Sequence, residues 1–260
     1  MFIGFIFILF VFQTPVSTTK EGAKKSCTTY LESAKKARSD KDLMKEIEIL
    51  EGAILNVCAE SSEAFSQLSL CYLEAGDQSY SQRGTKDVET REMYFQKALQ
   101  TASISALLDP KNKYAFEHKA MAYAGILDVN GIKEKVQLAD SVRINAEIAL
   151  ELDPNNDRAL HILGRWHYEV SQFGGFLRFL ARLFFGTAPK ASLDKALDYF
   201  EKAAELDDYP VHHYWLGLTH LELKNKSNAK WHFEHLLTLK NQHHNDEFFK
   251  DQAQEKLKSL

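Results

Sequence analysis

The stretch "ALELDPNNDRAL", residues 149–160, decides the fold. It indicates the end of one helix, a polar turn and the start of another helix. Pro154 cannot occupy a helix interior, and it also displaces the residue before it from helical geometry. The stretch "ALLDPKNKYAF", residues 106–116, repeats this arrangement around Pro110. Between such breaks apolar residues recur every three or four positions and strand patterns are nearly absent, so the sequence predicts an all-α protein.

The predicted helices share a pattern of three residues. A large residue is followed four positions later by a small one, and three positions after that by another bulky side chain. This pattern occurs as Phe65-Ser69-Tyr72, Phe116-Ala120-Tyr123, Leu160-Gly164-His167 and His213-Gly217-His220. These spacings place the three side chains on one helix face, where the small residue lets a neighbouring helix approach closely. Paired helices of this kind are typical of tetratricopeptide repeats. We therefore predict that the four small residues are buried at helix contacts.

The small residues lie farther apart than the roughly 34 residues of a standard tetratricopeptide repeat. The surplus falls between the two helices of a pair, near residues 76–89, 127–137 and 171–191. The prediction is a helical-repeat solenoid with insertions between paired helices. Its parts are an N-terminal helical pair (19–60), the tetratricopeptide-like repeats (61–245) and a C-terminal capping helix (246–260).

The first residues form a candidate signal peptide, residues 1–18. Their apolar run, Phe2 to Phe12, is shorter than the about 20 residues that a transmembrane helix requires. Small and hydroxylated residues follow it, and cleavage after Ser17 or Thr18 would fit a secretory leader. The expected location is therefore periplasmic or secreted, and the alternative is a membrane anchor formed by residues 2–12.

The chain contains three cysteines, so at least one thiol is expected to be free. Cys27 and Cys58 fall in adjacent helices that run in opposite directions. Counting from the turn between those helices leaves the two residues about 9 Å out of register along the helix axis. A disulfide requires Cα atoms within about 7 Å, so we expect no bond, with a 27–58 disulfide as the alternative.

Composition and motifs exclude several functional classes. A net charge of -4 argues against a nucleic-acid-binding protein. No nucleophile elbow, phosphate-binding loop or dinucleotide-binding glycine pattern occurs. His232 and His235 could share a metal only if a carboxylate joined them. His213 and His220 occupy positions where repeat helices pack. The sequence predicts no catalytic residue, cofactor site or metal ligand, and a histidine-metal hydrolase is a remote alternative.

The block "LGRWHYEV" (163–170), followed by an apolar insert ending in "LFFGTAPKASLDKALDYFEKAAEL", resembles the regulator of microtubule dynamics family. The positions that match the family motif are Gly164, Arg165, Trp166, Phe185, Gly186 and Pro189. The resemblance extends from about residue 62 onward and implies a helical-repeat adaptor. It also implies an association with microtubules, which is attributed to the eukaryotic members.

The candidate partner-binding residues are Arg165, Trp166, Phe179 and Arg182. Arg165 and Trp166 lie on a helix expected to face the groove, where the guanidinium could bind a peptide carboxylate. The alternatives for Arg165 are a structural ion pair and stacking on an aromatic ring. Phe179 and Arg182 belong to a short amphipathic segment, residues 176–185, which we predict to dock on the repeats. A partner-binding lid and a membrane-surface helix are its alternatives.

The function that these observations predict is that of a non-enzymatic interaction scaffold. Its partner would be a protein or a peptide, held in the concave groove of the repeat array. A membrane-anchored adaptor associated with microtubules is the alternative. Membrane contact is expected only through the N-terminal segment or residues 176–185.

Overall fold

The computed structural model describes residues 20–78, 88–129, 132–174, 190–241 and 245–260, with side chains for all of these except 20–25, 128–129 and 132–137. The described residues form eleven α-helices and no strand, which confirms the all-α prediction. The helices are α1 (Lys20–Ser39), α2 (Leu43–Asn56), α3 (Ser62–Gln78), α4 (Val88–Leu108), α5 (Lys113–Val129), α6 (Ile132–Leu152), α7 (Asp157–Ser171), α8 (Leu193–Leu206), α9 (Pro210–Glu222), α10 (Lys226–Thr238) and α11 (Asp246–Lys258). The proposed leader, residues 1–18, lies outside the described residues.

The turn around Pro154 separates α6 from α7 as the sequence predicts. α6 ends at Leu152, and the next helix begins after Asn156, whose side chain accepts a hydrogen bond from the Ala159 amide at 2.9 Å. Such a cap satisfies one of the backbone N–H groups that have no partner in the first helical turn. None of the helices in the described ranges is both long enough and apolar enough to cross a membrane.

Four helix pairs follow one another along the chain: α3 with α4, α5 with α6, α7 with α8, and α9 with α10. The first helices of neighbouring pairs also contact each other: α3 contacts α5, α5 contacts α7, and α7 contacts α9. The second helices pack mainly against the first helices of their own pair and of the next pair. Because the first helices converge, the array curves with α3, α5, α7 and α9 on its inner side.

Small residues allow the close approach of helices within these pairs. Ser69 and Ala120 are fully buried, and Gly164 and Gly217 are buried as well. The face of Gly164 is covered by Phe200 of α8, and that of Gly217 by Phe233 of α10. A Cβ atom built on Gly164 would lie 2.6 Å from the Phe200 ring, closer than any ordinary carbon contact.

A fifth and a sixth small residue escaped the sequence pattern. Phe95 of α4 is almost fully buried between Gly76 of α3 and Gly125 of α5. A Cβ atom at Gly125 would approach the Phe95 ring to 2.6 Å. One phenylalanine therefore joins two successive first helices in the first half of the array.

Cys27 and Cys58 are joined by a disulfide, and their Cα atoms are 5.2 Å apart. The expectation of a larger offset was wrong because α2 ends at Asn56. The amides of Val57 and Cys58 both donate to the Ala53 carbonyl, so the chain wraps around the helix end instead of advancing along its axis. The remaining thiol, Cys71, is free and buried.

Candidate functional site: the inner face of the repeat array

The inner face carries a strip of half-buried side chains, each one position after a buried small residue. This inner strip consists of Leu70, Met121, Arg165 and Leu218. Met121 illustrates its position, because it packs against the core around α3 and also against the core around α7. Three members of the strip are apolar and the fourth is Arg165, so the strip itself carries one charge.

Arg165 is held by an aromatic ring of the next first helix. Its guanidinium carbon lies 4.6 Å from the centre of the Trp215 ring. Tyr168 contacts the same ring edge-on at 5.3 Å, and Phe200 stacks on it at 6.1 Å. The stacking alternative for Arg165 thus describes its observed environment, and the aromatic support fixes the direction of the guanidinium.

The hydrogen-bonding capacity of Arg165 is not used up inside the protein. Its Nε atom is buried and has no hydrogen-bond partner among the described residues. No ion pair joins Arg165 to a carboxylate in that part of the chain either. The Nε atom itself is covered, but Arg165 is only half-buried and its terminal guanidinium nitrogens form no hydrogen bond with the described residues, so they are the donors that a carboxylate could reach.

Trp166 does not lie on the inner face. The side chain is 7% exposed, and its indole N–H donates to the Ala139 carbonyl of α6 at 2.8 Å. Arg143 of the same helix lies over the ring at 5.8 Å. This corrects the prediction of a partner contact: Trp166 anchors α6 to α7, because neighbours on a helix point in different directions. Phe179 and Arg182 lie outside the described residues.

Polar contacts connect the first helices of successive pairs. Ser69 of α3 contacts the Nδ1 atom of His118 of α5 at 2.8 Å. His161 of α7 and His212 of α9 meet through their Nδ1 atoms at 2.9 Å. Burial lowers the pKa of His118 to about 3 and that of His161 well below its usual range. Both rings are therefore neutral at physiological pH, and each Nδ1 contact joins one donor to one acceptor.

The contact between α5 and α7 is made by a carboxylate. Glu117 accepts a hydrogen bond from the Asn156 amide at 2.8 Å and pairs with Arg158 at 3.4 Å. Burial raises the pKa of Glu117, while Arg158 and Asn156 oppose that rise. This buried acid is compensated by two partners, as buried carboxylates generally must be.

A second polar cluster lies where the linker between α8 and α9 meets α10. Asp208 of this linker is 2.6 Å from Nε2 of His213 and 3.0 Å from Nε2 of His235. The Nδ1 atom of His213 lies 2.9 Å from Nδ1 of His232. Burial would raise the pKa of Asp208, but the hydrogen bonds to His235 and His213 outweigh it and leave that pKa lowered.

The structure therefore rearranges the histidine grouping considered from the sequence. His235 is brought together with His213 and Asp208, while His232 stands behind His213. The sequence offered no local signal for this set, because Asp208 and His213 are separated by the start of α9 and His235 comes from another helix.

Comparisons with known proteins address the fold and the family. The family model described as regulator of microtubule dynamics protein 1-3 matches residues 17–260. Regulator of microtubule dynamics protein 1 of Pongo abelii is 29% identical over 70% of this chain and 62% of its own length. The human protein of that name is 34% identical over 46% of this chain and 40% of its own length. The chain thus spans less than two thirds of these relatives.

Solved structures with a similar fold are tetratricopeptide-type proteins. A thermophilic TPR protein of Thermus thermophilus superimposes with a TM-score of 0.60 at 14% identity, covering 88% of this chain and 98% of that protein. PilF of Pseudomonas aeruginosa gives a TM-score of 0.55 at 13% identity, covering 92% and 93%. At such low identity the likeness concerns the fold alone. Since the family model covers nearly the whole sequence, the chain belongs to the regulator of microtubule dynamics protein 1-3 family.

Proposed function

We propose that this protein is a non-enzymatic scaffold whose inner face binds an extended segment of another protein. The observation that carries the proposal is Arg165, a half-buried cation that is stacked on Trp215 and pairs with no carboxylate among the described residues. It stands between Met121 and Leu218 in the inner strip. A matching segment carries a carboxylate, from an acidic side chain or a free C-terminus, with apolar side chains next to it.

The expected energetics follow from this arrangement. Hydrogen bonds to charged groups contribute about 1.5–3 kcal/mol each. The stacked guanidinium is already oriented, so little side-chain entropy is lost when the carboxylate binds. The apolar neighbours add hydrophobic contact on both sides of the charge. Specificity would therefore arise from one charge within an apolar strip.

The test is a peptide array in which each sequence is present with a free and with an amidated C-terminus, and with and without acidic side chains. Peptides that bind the full chain are then titrated by fluorescence anisotropy. We expect the Arg165→Ala variant to weaken binding by about 10- to 100-fold, the equivalent of one charged hydrogen bond. Lys230→Ala, which removes an exposed charge from α10, serves as the matched control and should bind like the parent.

The proposal fails if carboxylate-bearing peptides bind no better than their neutral counterparts, or if Arg165→Ala and Lys230→Ala bind equally well. A thermal melt of both variants accompanies the titration, so that a loss of binding can be separated from a loss of folding.

The family suggests a second candidate function, association with microtubules, in which the scaffold would act as an adaptor. The relatives named above are called regulators of microtubule dynamics. Co-sedimentation of the full chain with stabilised microtubules tests this function. Comparison of parent and Arg165→Ala protein shows whether the inner face takes part. Pelleting that is independent of microtubules would count against it.

The disulfide separates the two candidates by compartment. A bond between Cys27 and Cys58 forms and persists in oxidising surroundings, which supports the proposal of an exported protein. An adaptor on microtubules would work in the reducing cytosol. Peptide mapping of protein isolated without reduction from its native source distinguishes them, since free thiols at both positions would overturn the exported location.

A further inference from the structure

We propose that Asp208, His213 and His235 form a binding site for a divalent transition-metal ion of the Zn²⁺ class. One ligand comes from the linker before α9, one from α9 and one from α10. Their carboxylate oxygen and ring nitrogens all lie within 4.8 Å of one another. The site is distinct from the inner strip, so the proposal does not depend on the scaffold function.

The two separations that involve Asp208 are somewhat shorter than those between the ligands of a tetrahedral site. Zinc binds nitrogen and oxygen ligands at about 2.0–2.1 Å, which places neighbouring ligand atoms about 3.3 Å apart. The Asp208–His235 distance is 3.0 Å and the Asp208–His213 distance is 2.6 Å. Asp208, whose side chain is 56% exposed, would have to move away from both rings to make room for the ion. A metal ion would thus replace the two hydrogen bonds of Asp208 with coordination bonds.

His232 supplies the orienting contact that such sites require. A metal on Nε2 of His213 requires the ring proton on Nδ1, and that atom lies 2.9 Å from Nδ1 of His232. His232 can accept this hydrogen bond through its Nδ1 atom. Its own proton then resides on Nε2, so no net proton is lost when the two rings change tautomer.

His235 is held from the side by Trp231. The two rings are parallel to within 5° and their centres are 5.0 Å apart. This stacking fixes the plane of the imidazole while its Nε2 faces Asp208. Both residues are accessible to solvent, which leaves an entry path and room for water as a further ligand.

The ligand set selects the class of metal. Two imidazoles with one carboxylate suit Zn²⁺, Fe²⁺, Cu²⁺ and Ni²⁺, whereas Mg²⁺ and Ca²⁺ prefer oxygen ligands. Bound metal would tie the linker that follows α8 to α10, and so join the last two helix pairs. This role is structural and needs no reacting substrate.

The test is a titration of the metal-free full chain, without added histidine tags, with Zn²⁺ in competition with a fluorescent chelator. We expect one ion per chain. Asp208→Asn and His235→Asn should each weaken Zn²⁺ binding at least about tenfold. Asp207→Asn removes an exposed carboxylate next to the site and is the matched control. A double variant, His243→Asn with His244→Asn, removes two other histidines and is the second control. Both control variants should bind Zn²⁺ as tightly as the parent.

A second measurement protects the conclusion against misfolded variants. Metal-free Asp208→Asn is expected to melt somewhat below Asp207→Asn because it loses the charged hydrogen bonds to His213 and His235, but saturating Zn²⁺ should raise the melting temperature of Asp207→Asn and not that of Asp208→Asn. Mg²⁺ should leave both unchanged. The site is refuted if Asp208→Asn binds Zn²⁺ as tightly as the parent, if Asp207→Asn weakens it equally, or if removal of His243 and His244 abolishes binding.

Discussion

Replacement of Gly164 by alanine tests the packing on which the repeat array depends. The new Cβ atom would lie 2.6 Å from the Phe200 ring, whereas carbon atoms in contact are about 3.5–4.0 Å apart. The ring must therefore move by about 1 Å. Phe200 is completely buried and touches the rings of His161 and Trp215, which resist that movement.

Two effects of opposite sign determine the magnitude. Alanine is favoured over glycine in a helix interior by about 1 kcal/mol. Overpacking of a tight core contact costs about 1–3 kcal/mol. Gly52→Ala in α2 isolates the first effect, because a Cβ atom there would meet nothing within 4 Å. We expect Gly52→Ala to stabilise the protein. We expect Gly164→Ala to be less stable than Gly52→Ala by about 1–3 kcal/mol.

Urea unfolding followed by circular dichroism measures both variants. A Phe200→Leu exchange should be less harmful with alanine at position 164 than with glycine, with a coupling free energy of at least about 0.5 kcal/mol. Equal stability of Gly52→Ala and Gly164→Ala would refute the argument, as would strict additivity of the Gly164 and Phe200 changes.

Two further predictions concern the disulfide and pH. Reduction of the Cys27–Cys58 bond, whose two residues are 31 positions apart in sequence, should lower the free energy of unfolding by about 3–4 kcal/mol. The buried thiol of Cys71 should react with alkylating reagents only when the protein unfolds. Because the pKa of His118 is about 3 in the folded protein and about 6.5 when unfolded, the unfolded chain takes up the extra proton as pH falls through this window. The free energy of unfolding should therefore decrease on acidification by about 1.4 kcal/mol per pH unit for each such histidine. In His118→Gln, the free energy of unfolding measured with urea should depend less steeply on pH, by the amount that corresponds to one proton.

The helical fold could be predicted from local chemistry. Proline breaks and the spacing of apolar residues depend on backbone geometry, and they place the turn at Pro154 correctly. Ser69 and Gly164 were recognisable because their spacing to larger residues is fixed by one helix. Gly76 and Gly125 were not, because both are small to accommodate Phe95, which lies on a different helix.

The candidate sites depended on information that the sequence does not carry locally. Arg165 was identified, but its aromatic support, Trp215, lies in the next repeat. The direction of Trp166 could not be read from its neighbour, since successive helical residues point about 100° apart. The disulfide depended on how the chain leaves α2, and helix ends are poorly defined by periodicity. Each of these features is determined by tertiary contacts.

The contacts between first helices bear on the proposed binding surface around Arg165. Ser69–His118 joins α3 to α5, Glu117–Asn156 joins α5 to α7, and His161–His212 joins α7 to α9. These polar contacts require specific geometry, so they fix the spacing of the helices more strictly than apolar packing alone. The inner strip is consequently presented on a surface whose curvature is set before any partner arrives. If a segment binds there as proposed, it would have to order itself but not the scaffold, which would favour affinity from a small number of contacts.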